Sequence, residues 1–251
     1  MNHREAALRL HTARQERREV PMLSRAHPDM GLADAYRVQA EGIELRKAEG
    51  ERVVGGKLGF TSRAMQQAMG VHHPNYGWLT DAMLVHDGLV ALDRLIHPKV
   101  EPEIAFLLAE DLRPPVRAAD VLAATAGVMA CLEVVDSRYE GFRFGPLDNV
   151  ADDSSAGLVA FGDPLAPAGL DLARLGVVVT VDGSVRHTAA GAAALDHPAV
   201  AVAWMANHAD APLQAGQVVI SGGLTAPVDL HPGTVVEAEF DRIGSVMLRA
   251  A

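Results

Sequence analysis

Two glutamates, two residues apart, begin a strongly apolar stretch of the chain. Glu101 and Glu103 lead into the apolar run Ile104–Leu108, which is typical of a buried strand. Because residues i and i+2 of a strand face the same side, both carboxylates are expected to point together. Burying two like charges side by side is costly without compensation. A divalent cation is the simplest compensation.

A third carboxylate, Glu133, lies in the middle of a second apolar strand candidate, 128–135. Three carboxylates supply only oxygen ligands, which suit Mg²⁺ or Mn²⁺ with water or substrate in the open positions. In the alternative interpretation, Glu101 and Glu103 lie on a solvated edge strand and Glu133 pairs with an arginine. The sequence therefore indicates a metal site but leaves a surface interpretation open.

Lys57 lies in a glycine-rich strand candidate that begins at Val53 and carries Gly55, Gly56 and Gly59. Glycine within a strand indicates a bulge or a close approach of the backbone to another group. A lysine on a half-buried strand commonly extends to solvent. In the functional interpretation it lies near the carboxylates, as a proton donor or an anchor for a substrate carboxylate.

Composition limits the classes of function. The chain has 251 residues, 49% hydrophobic, with a net charge of −10, which argues against nucleic acid as a partner. An anionic substrate would need a local cation. The single cysteine, Cys131, excludes an intramolecular disulfide and suits a reducing cytoplasm. We see neither a signal-peptide pattern nor a membrane span, so a cytoplasmic location is expected. No nucleotide-binding motif is present.

The pattern of elements predicts an α+β protein. Amphipathic helices are expected over 4–19 and 31–49, and the last third of the chain alternates short strands and turns. Few helices and many short strands bounded by glycine favour a mixed β core over a βαβ succession. Residues 74–83 are predicted to be a turn and an apolar loop that carries Asp81, and residues 152–157 a polar turn.

Several segments, in this order, resemble the 2-oxopent-4-enoate hydratase and 4-oxalocrotonate decarboxylase group of the fumarylacetoacetate-hydrolase-like fold. The similarity covers essentially the whole chain. The segments that carry it are Gly55–Ser62, Tyr76–Gly77 with Leu79–Met83, Glu101–Phe106, Leu132–Tyr139 and Gly222–Thr225.

The resemblance implies a mixed β-roll or barrel core of the fumarylacetoacetate-hydrolase C-terminal-domain type. A helical region, 1–50, would pack on a catalytic β-rich region, 51–251, as one structural unit. It also implies a Mg²⁺ or Mn²⁺ site on the three glutamates chosen above, and it makes Lys57 an active-site residue. Homo-oligomers are implied too, and decarboxylases of this kind can associate with a homologous hydratase.

The runs 79–83 and 137–144 look more like the decarboxylase branch, in which 2-oxo-3-hexenedioate becomes 2-hydroxypenta-2,4-dienoate during meta-cleavage of aromatic compounds. The alternative is hydration of 2-hydroxypenta-2,4-dienoate to 4-hydroxy-2-oxopentanoate, and a scaffold without activity is a third. Lys57 is expected to stabilise the enolate oxygen or to assist proton transfer. Asp81 is expected to act in proton transfer or to destabilise the departing carboxylate by its like charge. Thr225 is expected to bind the C1 carboxylate and Arg138 the C6 carboxylate. Arg138 could equally pair with Asp136.

Overall fold

The computed structural model describes residues 1–251 and contains seven α-helices and twelve strands. The helices are α1 (His3–Glu16), α2 (Leu23–Ala26), α3 (Leu32–Ala48), α4 (Arg63–Met69), α5 (Ala118–Ala123), α6 (Pro146–Ala151) and α7 (Pro198–His208). The strands are β1 (Val53–Gly59), β2 (Asn75–Thr80), β3 (Leu89–Val90), β4 (Lys99–Leu108), β5 (Thr125–Val135), β6 (Ala156–Phe161), β7 (Gly176–Val181), β8 (Ser184–Ala190), β9 (Val218–Ile220), β10 (Val228–Asp229), β11 (Val235–Phe240) and β12 (Gly244–Ala250).

Two mixed sheets form the β core, as predicted. The larger sheet has the order β2-β1-β9-β4-β5-β6, with β10 paired to β4, and it curls into a half-barrel. The smaller sheet has the order β3-β12-β11-β7-β8, and its strands β11 and β12 pack against β5. The predicted α+β class and β-roll core are therefore confirmed.

The strands of the larger sheet alternate between two environments. Phe106 of β4 and Leu132 of β5 belong to the main hydrophobic core, together with Val236 and Leu248 of the smaller sheet. Residues of the opposite parity lie on the other face of the sheet, where Ala105 and Cys131 belong to a separate apolar cluster. Because β4 alternates strictly, Glu101 and Glu103 share this face with Ala105.

The N-terminal helices have a small core of their own. Helices α1 and α3 pack on each other and α3 packs on α6. Leu10, Val38, Tyr139 and Val150 are among the twelve buried residues of this cluster, so the helices are attached to the segment that follows β5. None of the helices combines the length and the hydropathy that a membrane span requires.

The predicted turn and loop over 74–83 are wrong. Residues Asn75–Thr80 form strand β2, antiparallel to β1, with Gly77 opposite Lys57. The sequence suggested a turn because Pro74, Asn75 and Gly77 are turn residues. In the structure Gly77 serves close packing, since a Cβ there would lie 2.5 Å from the backbone oxygen of Asp153.

Candidate active site

Strand register brings the three predicted carboxylates together. Glu101 of β4 lies directly opposite Glu133 of β5, and Glu103 follows two residues later on the same face. Strand β4 is paired with β5 on one side and β9 on the other, so it is an interior strand and not a solvated edge. One carboxylate oxygen from each glutamate lies within 4.8 Å of the others. The alternative of a solvated pair is therefore excluded.

These carboxylates are short of hydrogen-bond donors. Glu103 and Glu133 are fully buried, and the backbone N–H of Gly222 donates to Glu103 Oε2 at 2.6 Å. Glu103 Oε1 and both oxygens of Glu133 accept no hydrogen bond. Burial raises the pKa of both groups, and burial together with Glu133 raises the pKa of Glu101 to about 7. Buried oxygens that accept no hydrogen bond, from three convergent acids, fit a divalent cation.

Lys57 is the cation of this cluster. Its side chain is 3% exposed, so it does not extend to solvent. Its Nζ lies 3.2 Å from Glu133 Oε2 and donates to the backbone oxygen of Ser154 at 2.8 Å. Burial would lower the pKa of Lys57, but the three carboxylates outweigh burial and raise it. One ammonium group therefore faces three acids.

A buried turn that the sequence did not indicate as functional holds Lys57. Asp153, Ser154 and Ser155 adopt positive φ angles of 52°, 52° and 57°. This conformation is uncommon for residues other than glycine and costs free energy at each position. The turn directs the Ser154 carbonyl at Lys57, and Asn75 accepts a hydrogen bond from Ser154 Oγ at 2.9 Å. The adjacent aspartates are turn formers, as expected, but the turn also positions a site residue.

A glycine-rich turn after β9 closes the other side of the site. Gly222 has a φ of +92°, and a Cβ on Gly223 would lie 2.7 Å from the Glu101 carboxylate. Only glycine fits both requirements. Thr225, on the same turn, lines a cavity that opens onto the carboxylates. Its hydroxyl donates to the backbone oxygen of Ala226 at 3.0 Å. Thr225 therefore lies beside the carboxylates, and its contact with a substrate carboxylate stays a prediction.

A cavity of about 160 Å³ opens onto the cluster. Lys57, Glu101, Asn149, Ser154 and Ser155 are among its polar lining residues. The hydrophobic residues on its wall include Met65, Met69, Val135, Phe142 and Phe144. Lys57 is the only lysine or arginine among the lining residues. The cavity thus combines a charged floor with a largely apolar wall, as small-molecule sites commonly do.

Asp81 lies outside this cavity. Its carboxylate accepts hydrogen bonds from the backbone N–H of Arg52 at 2.9 Å and from Arg52 Nε at 3.0 Å, near the protein surface. These hydrogen bonds lower the pKa of Asp81, so it is held as a carboxylate at neutral pH. The structure does not bring Asp81 to the predicted proton-transfer position.

Arg138 is also outside the cavity, and its donors are already used. Its Nε donates to Asp152 Oδ1 at 2.5 Å, and its Nη1 donates to the backbone oxygen of Ala156 at 3.0 Å. Further donors reach the backbone oxygens of Asp136 and Asp152. The predicted contact with a substrate carboxylate is therefore replaced by a buried ion pair, and the acidic partner is Asp152 and not Asp136.

Comparison with known proteins agrees with this geometry. Residues 57–249 match the family model "Fumarylacetoacetate (FAA) hydrolase C-terminal". The chain is 42% identical over 237 residues to 4-oxalocrotonate decarboxylase from Pseudomonas sp. (strain CF600), with 92% of this chain and 90% of the relative covered. It is 45% identical over 202 residues to 2-hydroxypent-2,4-dienoate hydratase from Pseudomonas putida, covering 79% of this chain and 91% of the relative.

A solved structure extends the similarity to three dimensions. The 4-oxalocrotonate decarboxylase from Pseudomonas putida G7, complexed with magnesium and adipate, superposes with a TM-score of 0.96 at 37% identity. The match covers 99% of this chain and 97% of that enzyme. Decarboxylases and hydratases are both lyases, and both are represented among the relatives of this chain. The chain belongs to the fumarylacetoacetate hydrolase C-terminal family.

Proposed function

We propose that this protein is a metal-dependent lyase of 2-oxo acids. The observation that carries the proposal is the set of three convergent carboxylates, with unpaired oxygens and one buried lysine, at the floor of a small cavity. Its first candidate reaction is decarboxylation of 2-oxo-3-hexenedioate to 2-hydroxypenta-2,4-dienoate. This follows the decarboxylase relative and the nearly complete structural match to a decarboxylase.

Glu101, Glu103 and Glu133 would hold Mg²⁺ or Mn²⁺. When bound, the ion supplies a Lewis acid for the 2-oxo acid end of the substrate. Glu103 is held for this role by the Gly222 N–H, which fixes one of its oxygens and leaves the other available. Glu101 is the ligand nearest to the open cavity, because it alone of the three lines it.

Lys57 provides the mobile protons of the site. Its ammonium donates to the C2 oxygen of the substrate as charge develops there, or delivers a proton to the product carbon chain. The Ser154 carbonyl accepts a hydrogen bond from Lys57 Nζ and orients the Lys57 side chain. The Thr225 hydroxyl turns from the Ala226 carbonyl to the C1 carboxylate of the substrate.

A second candidate reaction, hydration of 2-hydroxypenta-2,4-dienoate, is favoured by one specific observation. Arg138, the residue predicted to bind a C6 carboxylate, is committed to Asp152, and the cavity wall carries no other lysine or arginine beyond Lys57. A substrate with one carboxylate needs no further cation. The same glutamates and Lys57 would serve both reactions.

The test is a turnover assay on metal-stripped and Mg²⁺- or Mn²⁺-reconstituted protein. 2-Oxo-3-hexenedioate and 2-hydroxypenta-2,4-dienoate are offered separately, and CO₂ release and loss of the dienol are followed. CO₂ from the first substrate supports decarboxylation, and loss of the dienol without CO₂ supports hydration. If metal binds but neither substrate turns over, both reactions are excluded and a scaffold role is favoured.

The cellular setting is part of the proposal. The buried free thiol of Cys131 is compatible with a reducing cytoplasm. We expect a homo-oligomer, and a decarboxylase activity would make association with a homologous hydratase advantageous for passing on the dienol. Sedimentation of the purified protein, alone and with such a hydratase, measures both expectations.

A further inference from the structure

A second cavity, unrelated to the carboxylate site, is lined by five arginines. It has a volume of about 250 Å³ and lies between the N-terminal helices and the start of β6. The arginines come from four separate segments of a chain whose net charge is −10. They are Arg14 and Arg17 at the end of α1, Arg46 of α3, Arg94 before β4 and Arg138 after β5.

Two of these arginines are fully engaged with acids. Arg46 Nε lies 2.7 Å from Glu51 Oε2, and Arg138 Nε lies 2.5 Å from Asp152 Oδ1. Asp136, an acid on the cavity wall, accepts hydrogen bonds from the backbone N–H groups of Ile96 and His97 and forms no ion pair with an arginine. Asp93 is the other acid on the wall, and it forms no ion pair.

The remaining three arginines retain unused donors. Arg14 reaches Glu49 only at 3.5 Å and Glu51 only at 3.7 Å. Arg17 donates to the backbone oxygen of Asp93, and Arg94 donates to that of Ala82 at 3.2 Å; neither arginine pairs with a carboxylate.

Burial and neighbouring cations both act on Arg14. Burial, together with Arg46 and Arg138, lowers the pKa of Arg14 to about 10 despite its acidic neighbours. A cation at the C-terminus of α1 is favoured by the helix dipole, but the dipole does not explain why Arg94 converges on the same cavity from a distant segment. The excess of cations calls for an anion.

We propose that this cavity binds a small oxyanion, a carboxylate or a phosphate, through Arg14, Arg17 and Arg94. Guanidinium groups recognise both kinds of anion by paired hydrogen bonds to oxygen, so the chemistry is shared. Ala156 and Gly157, directly after the turn that holds Lys57, line the same cavity. The site is separate from the metal site and does not depend on the proposed reaction.

The test measures binding of inorganic phosphate and of succinate to the full-length protein by calorimetry, with EDTA and again with Mg²⁺. Arg17→Gln and Arg94→Gln remove cavity donors at exposed positions, where folding is not at risk. Arg18→Gln is the matched control, since Arg18 pairs with Glu16 and does not line the cavity. We expect one anion per chain in wild type and control, with affinity reduced about tenfold or more in the two cavity variants.

Each outcome decides the proposal. Preference for phosphate or for succinate identifies the source of the anion, and binding that is unchanged by EDTA separates this site from the metal centre. No binding at millimolar anion, or equal affinity in Arg17→Gln and Arg18→Gln, overturns it. The proposal is also overturned if the cavity variants dissociate into single subunits and wild type binds no anion. The arginines would then pair with acidic side chains of a neighbouring copy of the chain.

Discussion

The protein contains two buried clusters of charge that differ in how completely they are satisfied. Around Arg138, one guanidinium is matched by Asp152 and by backbone oxygens, so its donors are used. Around Glu133, three carboxylates face one lysine, and three oxygens accept no hydrogen bond. A buried ion pair that is fully satisfied can be explained by folding alone. The unsatisfied cluster fits a ligand from outside the chain, such as the proposed divalent cation.

The largest expected effect comes from removing a carboxylate of the unsatisfied cluster. Glu103→Gln should lower metal affinity by more than the roughly 10- to 100-fold typical of losing an outer-shell partner, and turnover should fall with it. The metal-free variant should be at least as stable as wild type, because one buried charge is gone. Calorimetric titration with Mn²⁺ and thermal unfolding measure the two effects. Retained affinity would remove Glu103 from the ligand set.

Lys57→Met tests the cation of the same cluster. Loss of the proton donor should lower kcat by about 10²-fold or more. The metal-free variant should also lose stability, since the three acids keep no counter-charge, and added Mg²⁺ should restore part of it. Steady-state kinetics and melts with and without Mg²⁺ provide the comparison. Turnover near that of wild type would exclude Lys57 from the chemistry.

Arg138→Met tests the satisfied cluster. Leaving Asp152 buried and unpaired should cost about 3–5 kcal/mol in the free energy of unfolding. The ratio of activities on dicarboxylic and monocarboxylic substrates should not change. Urea denaturation measures the first effect, with the exposed Arg117→Met as a control that should unfold like wild type. Selective loss of dicarboxylate turnover would instead restore a substrate role to Arg138.

The unsatisfied cluster should also show a characteristic pH dependence. The pKa of Glu101 rises from its ordinary 4.5 to about 7 in the metal-free protein, so the folded state binds its proton more tightly than the unfolded state. The contribution of Glu101 to the free energy of unfolding is therefore fully present below pH 4.5 and is lost as the pH rises through 7. Metal affinity should change in the opposite direction and increase with pH, because the ligands must be deprotonated. Glu101→Gln should flatten the stability profile between pH 4.5 and 7.

The smallest effect is expected at Asp81. Its carboxylate is paired with Arg52 outside the cavity, so Asp81→Asn should change kcat less than about twofold, as exposed ion pairs contribute little. The steady-state kinetics used for Lys57→Met also measure kcat of the Asp81→Asn variant. A loss of kcat as large as that of Lys57→Met would show that Asp81 reaches the substrate during turnover.

The sequence predicted those parts of the site that depend on local pattern. Alternation along β4 was enough to put Glu101 and Glu103 on one face, and the apolar neighbours of Glu133 were enough to bury it. Strand β2 was missed because Gly77 has the same appearance in a turn and in a tightly packed strand. The distinction depends on Asp153, which is far away in the chain.

Arg138 and the turn at 153–155 could not be assigned for the same reason. The presence of an arginine beside an acidic loop in the sequence does not indicate whether the donors of that arginine are free. The partner of Arg138 is fourteen residues away, and that of Lys57 is ninety-seven residues away. Which polar groups remain unsatisfied is decided by tertiary packing and is invisible in local spacing.

The most direct test of the unsatisfied cluster is anomalous diffraction from a crystal of the protein soaked in Mn²⁺. We expect one strong peak between Glu101, Glu103 and Glu133, with carboxylate oxygens at about 2.1–2.2 Å, as expected for a small divalent ion bound by oxygen. The Arg138–Asp152 pair should remain closed. A crystal with no peak at this position, or with Mn²⁺ held elsewhere while Lys57 alone neutralises the acids, would contradict the proposed metal centre.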